Sequence, residues 1–190
     1  MTDFEIDEWV TANSALGHKR LHALGVIAYQ WNRAELWLFH IFCDVSGYDE
    51  SEAWSLVYDL GDVSICNRIK SLLKFRNLDE EAPLIENALK VYDICRQNRN
   101  SAMHAWTRGF STDGQVGLAR KSKKADQIDP EPFPSSLDDL RRVAKEIEGL
   151  NARLWLLSVF AEEPPHLPSL QKLALPDFLW TFPQQNNQAR

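Results

Sequence analysis

Four polar side chains suited to phosphate and proton-transfer chemistry fall within nine residues, near the end of one predicted helix. They are Arg96, Arg99, Asn100 and His104, in a segment whose apolar residues recur at three- to four-residue intervals. An imidazole titrates near neutrality and serves as base or acid, and a guanidinium holds two phosphate oxygens with its planar fork. These groups suit RNA cleavage without a metal, which needs a base for the 2'-hydroxyl, an acid for the leaving oxygen and a cation beside the phosphorus.

Arg99 occupies the apolar face of this helix. Because an unpaired guanidinium is costly to bury, this position demands an anionic partner or an open cleft. Glu35, within the apolar stripe of an earlier helix, is the predicted partner, and we expect a buried ion pair in which each charge neutralises the other. Arg96, Asn100 and His104 follow one another at four-residue spacing and form a polar stripe beside Arg99. Asn100 would orient the imidazole or the phosphate, and Arg96 would add a second phosphate contact.

Arg99-Asn100 followed by His104 late on a long helix, with Glu35 on an earlier one, resembles the HEPN superfamily. The signature of that family is Arg, four to six residues and then His, often with a polar residue after the Arg. The resemblance covers about residues 17 to 160. It implies a helical bundle that dimerises so that two Arg-His motifs face one cleft, usually with metal-independent endoribonuclease activity. Many members act in toxin-antitoxin or anti-phage systems, and some are inactive RNA binders.

Other histidines are interpreted as surface residues. Arg33 and His40 also have the spacing of the signature, but they share a face of the first long helix that lies away from its apolar stripe. His18 and His22 are one turn apart and have no evident third metal ligand, so a solvated face is the preferred interpretation. We therefore predict neither a metal nor a cofactor.

Charge is distributed unevenly along the chain. The net charge is -6, but residues 96–124 carry seven cations against one carboxylate, a local charge of +6 that leaves -12 on the remainder. That distribution favours a polyanion-binding surface on the same third of the chain as the polar helix end. The predicted RNA contacts are Arg108, Arg120, Lys121, Lys123 and Lys124. The alternative interpretation of this stretch is a charged loop.

Composition indicates an ordinary globular protein. Of the 190 residues 44% are hydrophobic and 25% are charged. Cys43, Cys66 and Cys95 are odd in number and share no metal-type spacing, so we interpret them as reduced core thiols of a cytoplasmic protein. The acidic first residues argue against a secretory signal. No stretch approaches the roughly 20 apolar residues that cross a bilayer, so no membrane partner is expected.

Periodicity predicts an all-α fold, an antiparallel up-and-down bundle of four to five helices with a small β-hairpin insertion. Residues 1–15 are a short helix or an arm, and further helices are predicted at 17–43, 51–60, 63–76, 82–107 and from Ser135 or Ser136 to 160, of which 51–60 is a shorter one. The bundle domain spans residues 1–163, with the hairpin and loop insertion at 107–134. Residues 164–190 form a Pro-rich C-terminal arm.

The leading hypothesis is a bacterial-type, cytoplasmic endoribonuclease or RNA-binding protein of a toxin-antitoxin or defence system. Arg99, Asn100 and His104 would form its site, with Glu35 and Arg96 in support. One histidine cannot be base and acid at once, so a homodimer would supply the second. The alternative is a catalytically inactive helical dimerisation or interaction module, such as the partner of a nucleotidyltransferase antitoxin. Arg99 and Glu35 would then only fix the register of two helices.

Overall fold

The computed structural model describes residues 8–14, 16–104, 106–110, 116–119 and 133–160. Its helices are α1 (Glu8–Asn13), α2 (His18–Ser46), α3 (Glu50–Val57), α4 (Asp62–Phe75), α5 (Ala82–His104) and α6 (Leu137–Phe160). Its strands are β1 (Trp106–Phe110), β2 (Val116–Ala119) and β3 (Phe133–Ser135). The predicted C-terminal arm, residues 164–190, lies outside the described residues. The fold of the described part is mostly helical, as predicted.

Local signals in the sequence set the ends of two of these helices. Gly47 ends α2 in the left-handed conformation, with φ of 70°, and its N–H donates to the carbonyl oxygen of Cys43. Ser136 and Asp139 begin α6 with a reciprocal pair of hydrogen bonds. The Asp139 N–H donates to Ser136 Oγ at 3.1 Å, and the Ser136 N–H donates to Asp139 Oδ2 at 2.7 Å. α2 extends three residues beyond its predicted end at residue 43, to Ser46. Of the two caps predicted for α6, Ser135 and Ser136, the structure shows Ser136.

The core lies between α2, α4, α5 and α6: α2 contacts each of the other three, and α5 contacts both α4 and α6. In α2 the most deeply buried side chains include Ile27, Trp31, Ala34 and Leu38. α6 contributes a matching stripe, which comprises Leu140, Val143, Ile147, Leu150 and Leu154. The three- to four-residue spacing of both sets explains why each helix buries one face.

Two hydrogen bonds define how α2 and α6 lie together. Arg20 in the first turn of α2 donates to the carbonyl oxygen of Ser135, just before α6, at 2.9 Å. Asn151 in the second half of α6 donates to the carbonyl oxygen of Gln30 at 2.9 Å. The contact later in α2 is also the one later in α6. The two helices therefore run parallel to each other.

The described strands form one antiparallel sheet in the order β1-β2-β3. Trp106 pairs with Ala119 and Phe110 pairs with Val116, and the register shifts between Thr107 and Phe110. α5 therefore ends at His104, three residues before the predicted end, because the chain enters a strand at Trp106. β3, which pairs with β2, falls where the sequence predicted only a loop and a helix cap.

None of the helices in the described residues combines the length and the apolar composition that crossing a bilayer requires.

Candidate functional site

The predicted site occupies the last three turns of α5. This helix is anchored by buried side chains that include Leu89, Tyr92 and Cys95. Arg96, Arg99 and Asn100 follow on half-buried positions, and His104 is the last residue of the helix. The side chain of His104 lies outside the described part. The Arg and His positions of the motif thus lie near the C-terminal end of α5.

Arg99 is held by contacts on two sides. Its guanidinium carbon lies 5.6 Å from the centroid of the Trp31 ring, within the distance at which a cation is attracted to the face of an aromatic ring. Its Nη1 donates to Asn100 Oδ1 at 2.9 Å. Asn100 therefore orients the guanidinium of its neighbour, whereas the sequence had suggested the imidazole or the phosphate.

Trp31 links the two helices that carry the predicted site. It is only 1% exposed, and its ring centroid lies 4.9 Å from that of Tyr92 on α5. Its Nε1–H donates to Glu35 Oε1 at 2.7 Å. One indole thus contacts the guanidinium of Arg99 and also donates a hydrogen bond to the carboxylate of Glu35.

The expectation of a buried carboxylate at Glu35 is wrong, because this residue is exposed. The apolar stripe predicted for α2 was too wide. Leu24 and Ala28 belong to its half-buried flank, and Glu35 lies on that same flank, about 100° around the helix from the fully buried Ala34. Glu35 is connected to Arg99 through Trp31.

Arg96 is engaged by Asp93, one turn earlier on α5. Its Nε and Nη2 both donate to Asp93 Oδ1, at 3.1 and 2.5 Å, while Gln97 donates to Asp93 Oδ2 at 2.9 Å. Burial alone would raise the pKa of Asp93, but the hydrogen bonds from Arg96 and Gln97 lower it below its usual value. Burial opposes the charge on Arg96, yet the hydrogen bond and charge of Asp93 raise its pKa. A phosphate at Arg96 would compete with this carboxylate.

Tyr92 places a phenol at the junction of α2, α4 and α5. It is fully buried, and within the described residues its hydroxyl has no hydrogen-bond partner. Burial, followed by the negative charges of Asp62 and Glu35, raises its pKa far above the usual value. The phenol therefore stays neutral and acts on the site through its ring contact with Trp31.

The remaining predicted residues are divided between surface positions and undescribed parts of the chain. His18, His22 and Arg33 are exposed on α2, as predicted, and His40 Nδ1 lies 3.7 Å from Glu50 Oε1. The backbone of Arg108 belongs to β1, and its side chain lies outside the described part. Arg120, Lys121, Lys123 and Lys124 lie outside the described residues altogether. Among the side chains that the structure describes, no three His, Cys, Asp or Glu residues form a group that would hold a metal ion.

Burial suppresses the reactivity of all three thiols. It is the largest cause that raises the pKa of Cys43 to about 11 and those of Cys66 and Cys95 to about 12. Nearby carboxylates raise them further, with Asp44 beside Cys43 and Glu146 near Cys95. Cys43 and Cys95 are core thiols, Cys66 is half-buried beside the core, and all three carry little thiolate at neutral pH.

Sequence reasoning missed two contributors to the site. Trp31 is absent from the predicted site, although its four-residue spacing from Glu35 is a signal that two side chains meet on a helix. Asp93 precedes Arg96 by three residues, which is the same kind of signal. Comparisons with protein-family models, with curated proteins and with solved structures gave no match to this chain.

Proposed function

We propose that this protein is a metal-independent endoribonuclease of the HEPN type, acting in the cytoplasm of a bacterium within a toxin-antitoxin or defence system. The observation that carries the proposal is the preorganised guanidinium of Arg99. It is fixed against Trp31 and by Asn100, five residues before His104 on the same helix. A guanidinium held in place stabilises a charged phosphorane without the cost of reorganising first.

In this proposal the residues divide the work by their chemistry. Arg99 binds the nonbridging phosphate oxygens, and Asn100 keeps the guanidinium turned toward them. His104 transfers the proton at the 2'-hydroxyl or at the leaving 5'-oxygen. Trp31 and Glu35 support Arg99 from α2. The cationic residues Arg108, Arg120, Lys121, Lys123 and Lys124 would guide the RNA toward the end of α5.

A homodimer is part of the proposal, because one imidazole cannot serve as base and acid in the same step. Two copies whose α5 ends face one cleft would provide two histidines. The up-and-down bundle of the HEPN type, with β1 and β2 as its hairpin, belongs to the same proposal. Sedimentation at several protein concentrations measures the oligomeric state. A strictly monomeric protein that still cleaves RNA would contradict the proposed dimer.

The test of the activity is RNA cleavage in the presence of a chelator. We expect the wild-type protein to cleave, and His104→Ala to lose about 100- to 10,000-fold in rate, the usual contribution of general acid-base catalysis. Arg99→Ala should lose about 100-fold or more, as when one preorganised charge-stabilising donor is removed. The matched control is Arg33→Ala, an exposed arginine on α2 that also precedes a histidine, and its rate should equal that of the wild type.

The competing function is a catalytically inactive interaction module that binds an antitoxin. The pairing of Arg96 with Asp93 favours it, since that cation is already neutralised within the helix. The same assay separates the two functions. Equal cleavage by all variants indicates a contaminating nuclease. If the wild type cleaves none of several RNAs, the nuclease function is excluded and the interaction module is the remaining function.

A further inference from the structure

The short helix α3 and Tyr58, which caps its end with helical φ and ψ, present a ridge of three exposed side chains, Glu50, Trp54 and Tyr58. They are spaced four residues apart, so they lie one above another on one face of the helix. The Glu50 side chain is 74% exposed, Trp54 is 59% exposed and Tyr58 is 67% exposed. On the adjoining face of the helix, Ala53 and Val57 are buried against the core. α3 is therefore anchored on one face and offers a carboxylate and two aromatic rings on the next, which we call the α3 ridge.

The α3 ridge is fixed in position before any ligand arrives. Phe39 of α2 meets the Trp54 ring edge-on, with 5.6 Å between centroids, and Glu50 lies against His40. A capping box holds the first turn, in which the Glu52 N–H donates to Asp49 Oδ1 at 2.8 Å and the Glu52 carboxylate accepts from the Asp49 N–H. A surface that is already ordered loses little freedom when it binds.

Carboxylates outnumber cations around the α3 ridge. Residues 34–67 contain seven carboxylates and no lysine or arginine. Two arginines from outside this window contact its backbone: Arg68 Nη1 donates to the carbonyl oxygen of Leu56 at 3.5 Å, and Arg76 Nη1 donates to that of Val45 at 2.9 Å. The seven carboxylates outnumber them. An anionic ligand such as RNA would be repelled here, whereas a cationic one gains both Coulomb attraction and contact with the rings.

We propose that the α3 ridge is a docking surface for an extended, basic segment of a partner protein, with arginines at alternate positions. Trp54 and Tyr58 are four residues apart on a helix, which is about 6 Å along its axis. Alternate side chains of an extended peptide point to the same side and repeat at about 6.6–6.8 Å. Two arginines separated by one residue would therefore each reach one ring.

Arginine suits the α3 ridge better than lysine does. Its planar guanidinium stacks on an aromatic face and can at the same time donate to a carboxylate. Glu50 lies one turn before Trp54, so a guanidinium over the indole finds that carboxylate beside it. This partner-binding role is independent of the proposed ribonuclease activity, since the α3 ridge shares no residue with the α5 site.

The test uses two fluorescent peptides of equal charge, one with the core Arg-Gly-Arg and one with Arg-Arg-Gly, titrated with the full-length protein. We expect the alternating peptide to bind about two- to fivefold more tightly, the effect of one additional exposed cation-π contact. Trp54→Ala should remove that preference, and Glu50→Gln should weaken both the binding and its dependence on salt. The matched control is Trp155→Ala, which removes an exposed tryptophan from α6 and should leave binding unchanged.

Circular dichroism verifies that each variant is folded. Equal affinity for the two peptides, or no effect of Trp54→Ala, would show mere attraction between an acidic protein and a cationic peptide and would overturn the proposal. A loss with Trp155→Ala as large as that with Trp54→Ala would overturn it as well. So would binding of poly(U) RNA that depends on Trp54, because the α3 ridge would then accept an anion.

Discussion

The guanidinium carbon of Arg99 lies 5.6 Å from the ring centroid of Trp31, and the same indole donates its Nε1–H to Glu35. This relationship connects α5 to α2 through one buried side chain. From α2, the indole contacts the guanidinium of Arg99 on α5. Glu35, which accepts the hydrogen bond of the indole, is exposed. A buried aromatic side chain thus lies between the two residues for which the sequence predicted a direct ion pair.

Trp31→Ala should destabilise the protein by about 3–5 kcal/mol, because it leaves a large cavity in the core and removes the Tyr92 contact. Trp155→Ala is the control, since Trp155 is about half exposed, and it should cost much less. Urea denaturation at one protein concentration measures both values. Similar losses for the two variants would mean that Trp31 is not a central packing residue.

The prediction that Glu35 is buried failed because apolar spacing does not show how wide the buried face of a helix is. Apolar residues on the flank of α2, such as Leu24 and Ala28, look the same in a sequence as those at the centre of its buried face. Which of them is covered depends on where α5 and α6 lie. The contact between Asn98 and Glu146, at 3.3 Å, joins residues 48 positions apart and also has no local signal. Such partners are set by tertiary packing.

Sequence patterns were reliable where the contact that they describe lies within one turn of a helix. A glycine that adopts a positive φ ended α2, and a serine with an aspartate three residues later began α6. Cys95, predicted to be a core thiol, is buried. For the site, the sequence placed Arg96, Arg99, Asn100 and His104 on one helix, and the structure has them all in α5, which ends at His104 and not at the predicted residue 107. The sequence could not reveal that an indole from α2 contacts the arginine.

Asp93→Asn should make the protein less stable at neutral pH. The folded-state pKa of Asp93 lies below its ordinary value of 3.8, so its contribution is present above that pH and is lost as the pH falls through the folded pKa. The difference in unfolding free energy between wild type and variant should therefore be larger at pH 7 than at pH 3. Because Asp93 is half exposed, solvent screening keeps the effect small.

The control for Asp93 is Asp138→Asn, which breaks the pair with Arg141 at the same three-residue spacing, but at a position where both side chains are more exposed. It should change the stability less at every pH. A larger effect at Asp138, or a difference for Asp93 that grows as the pH falls, would contradict the assignment.

All three cysteines should be nearly inert toward a thiol reagent in the folded protein at pH 8. Burial raises their pKa values to about 11 or 12, so the thiolate fraction is very small, and the reagent has little access to Cys43 and Cys95. A chromogenic disulfide reagent should release its full colour only after denaturant is added. A rapid native reaction at one residue, located by mass spectrometry, would contradict its burial.

Neutralising Lys121, Lys123 and Lys124 together should weaken RNA binding and its dependence on salt. Each phosphate contact on a single strand contributes about 0.7 to the slope of log K against log salt, so the slope should fall by about 2. Fluorescence anisotropy across a salt series measures this slope.

A matched triple variant removes three exposed lysines from other parts of the chain, Lys19, Lys90 and Lys145. Its salt slope should stay at the wild-type value. An equal fall in both triple variants would mean that the RNA responds to total charge and does not contact the 121–124 segment.

The most direct test of the central claim, that the end of α5 cleaves a phosphodiester through the neighbouring 2'-hydroxyl, is the chemistry of the product ends. RNA incubated with the protein in a chelator should give fragments that end in 2',3'-cyclic phosphate, detected by mass spectrometry. DNA of the same sequence should remain intact, and Arg99→Ala should give almost no product. Fragments with 3'-hydroxyl ends, equal cleavage of the DNA, or no cleavage of either would contradict the account.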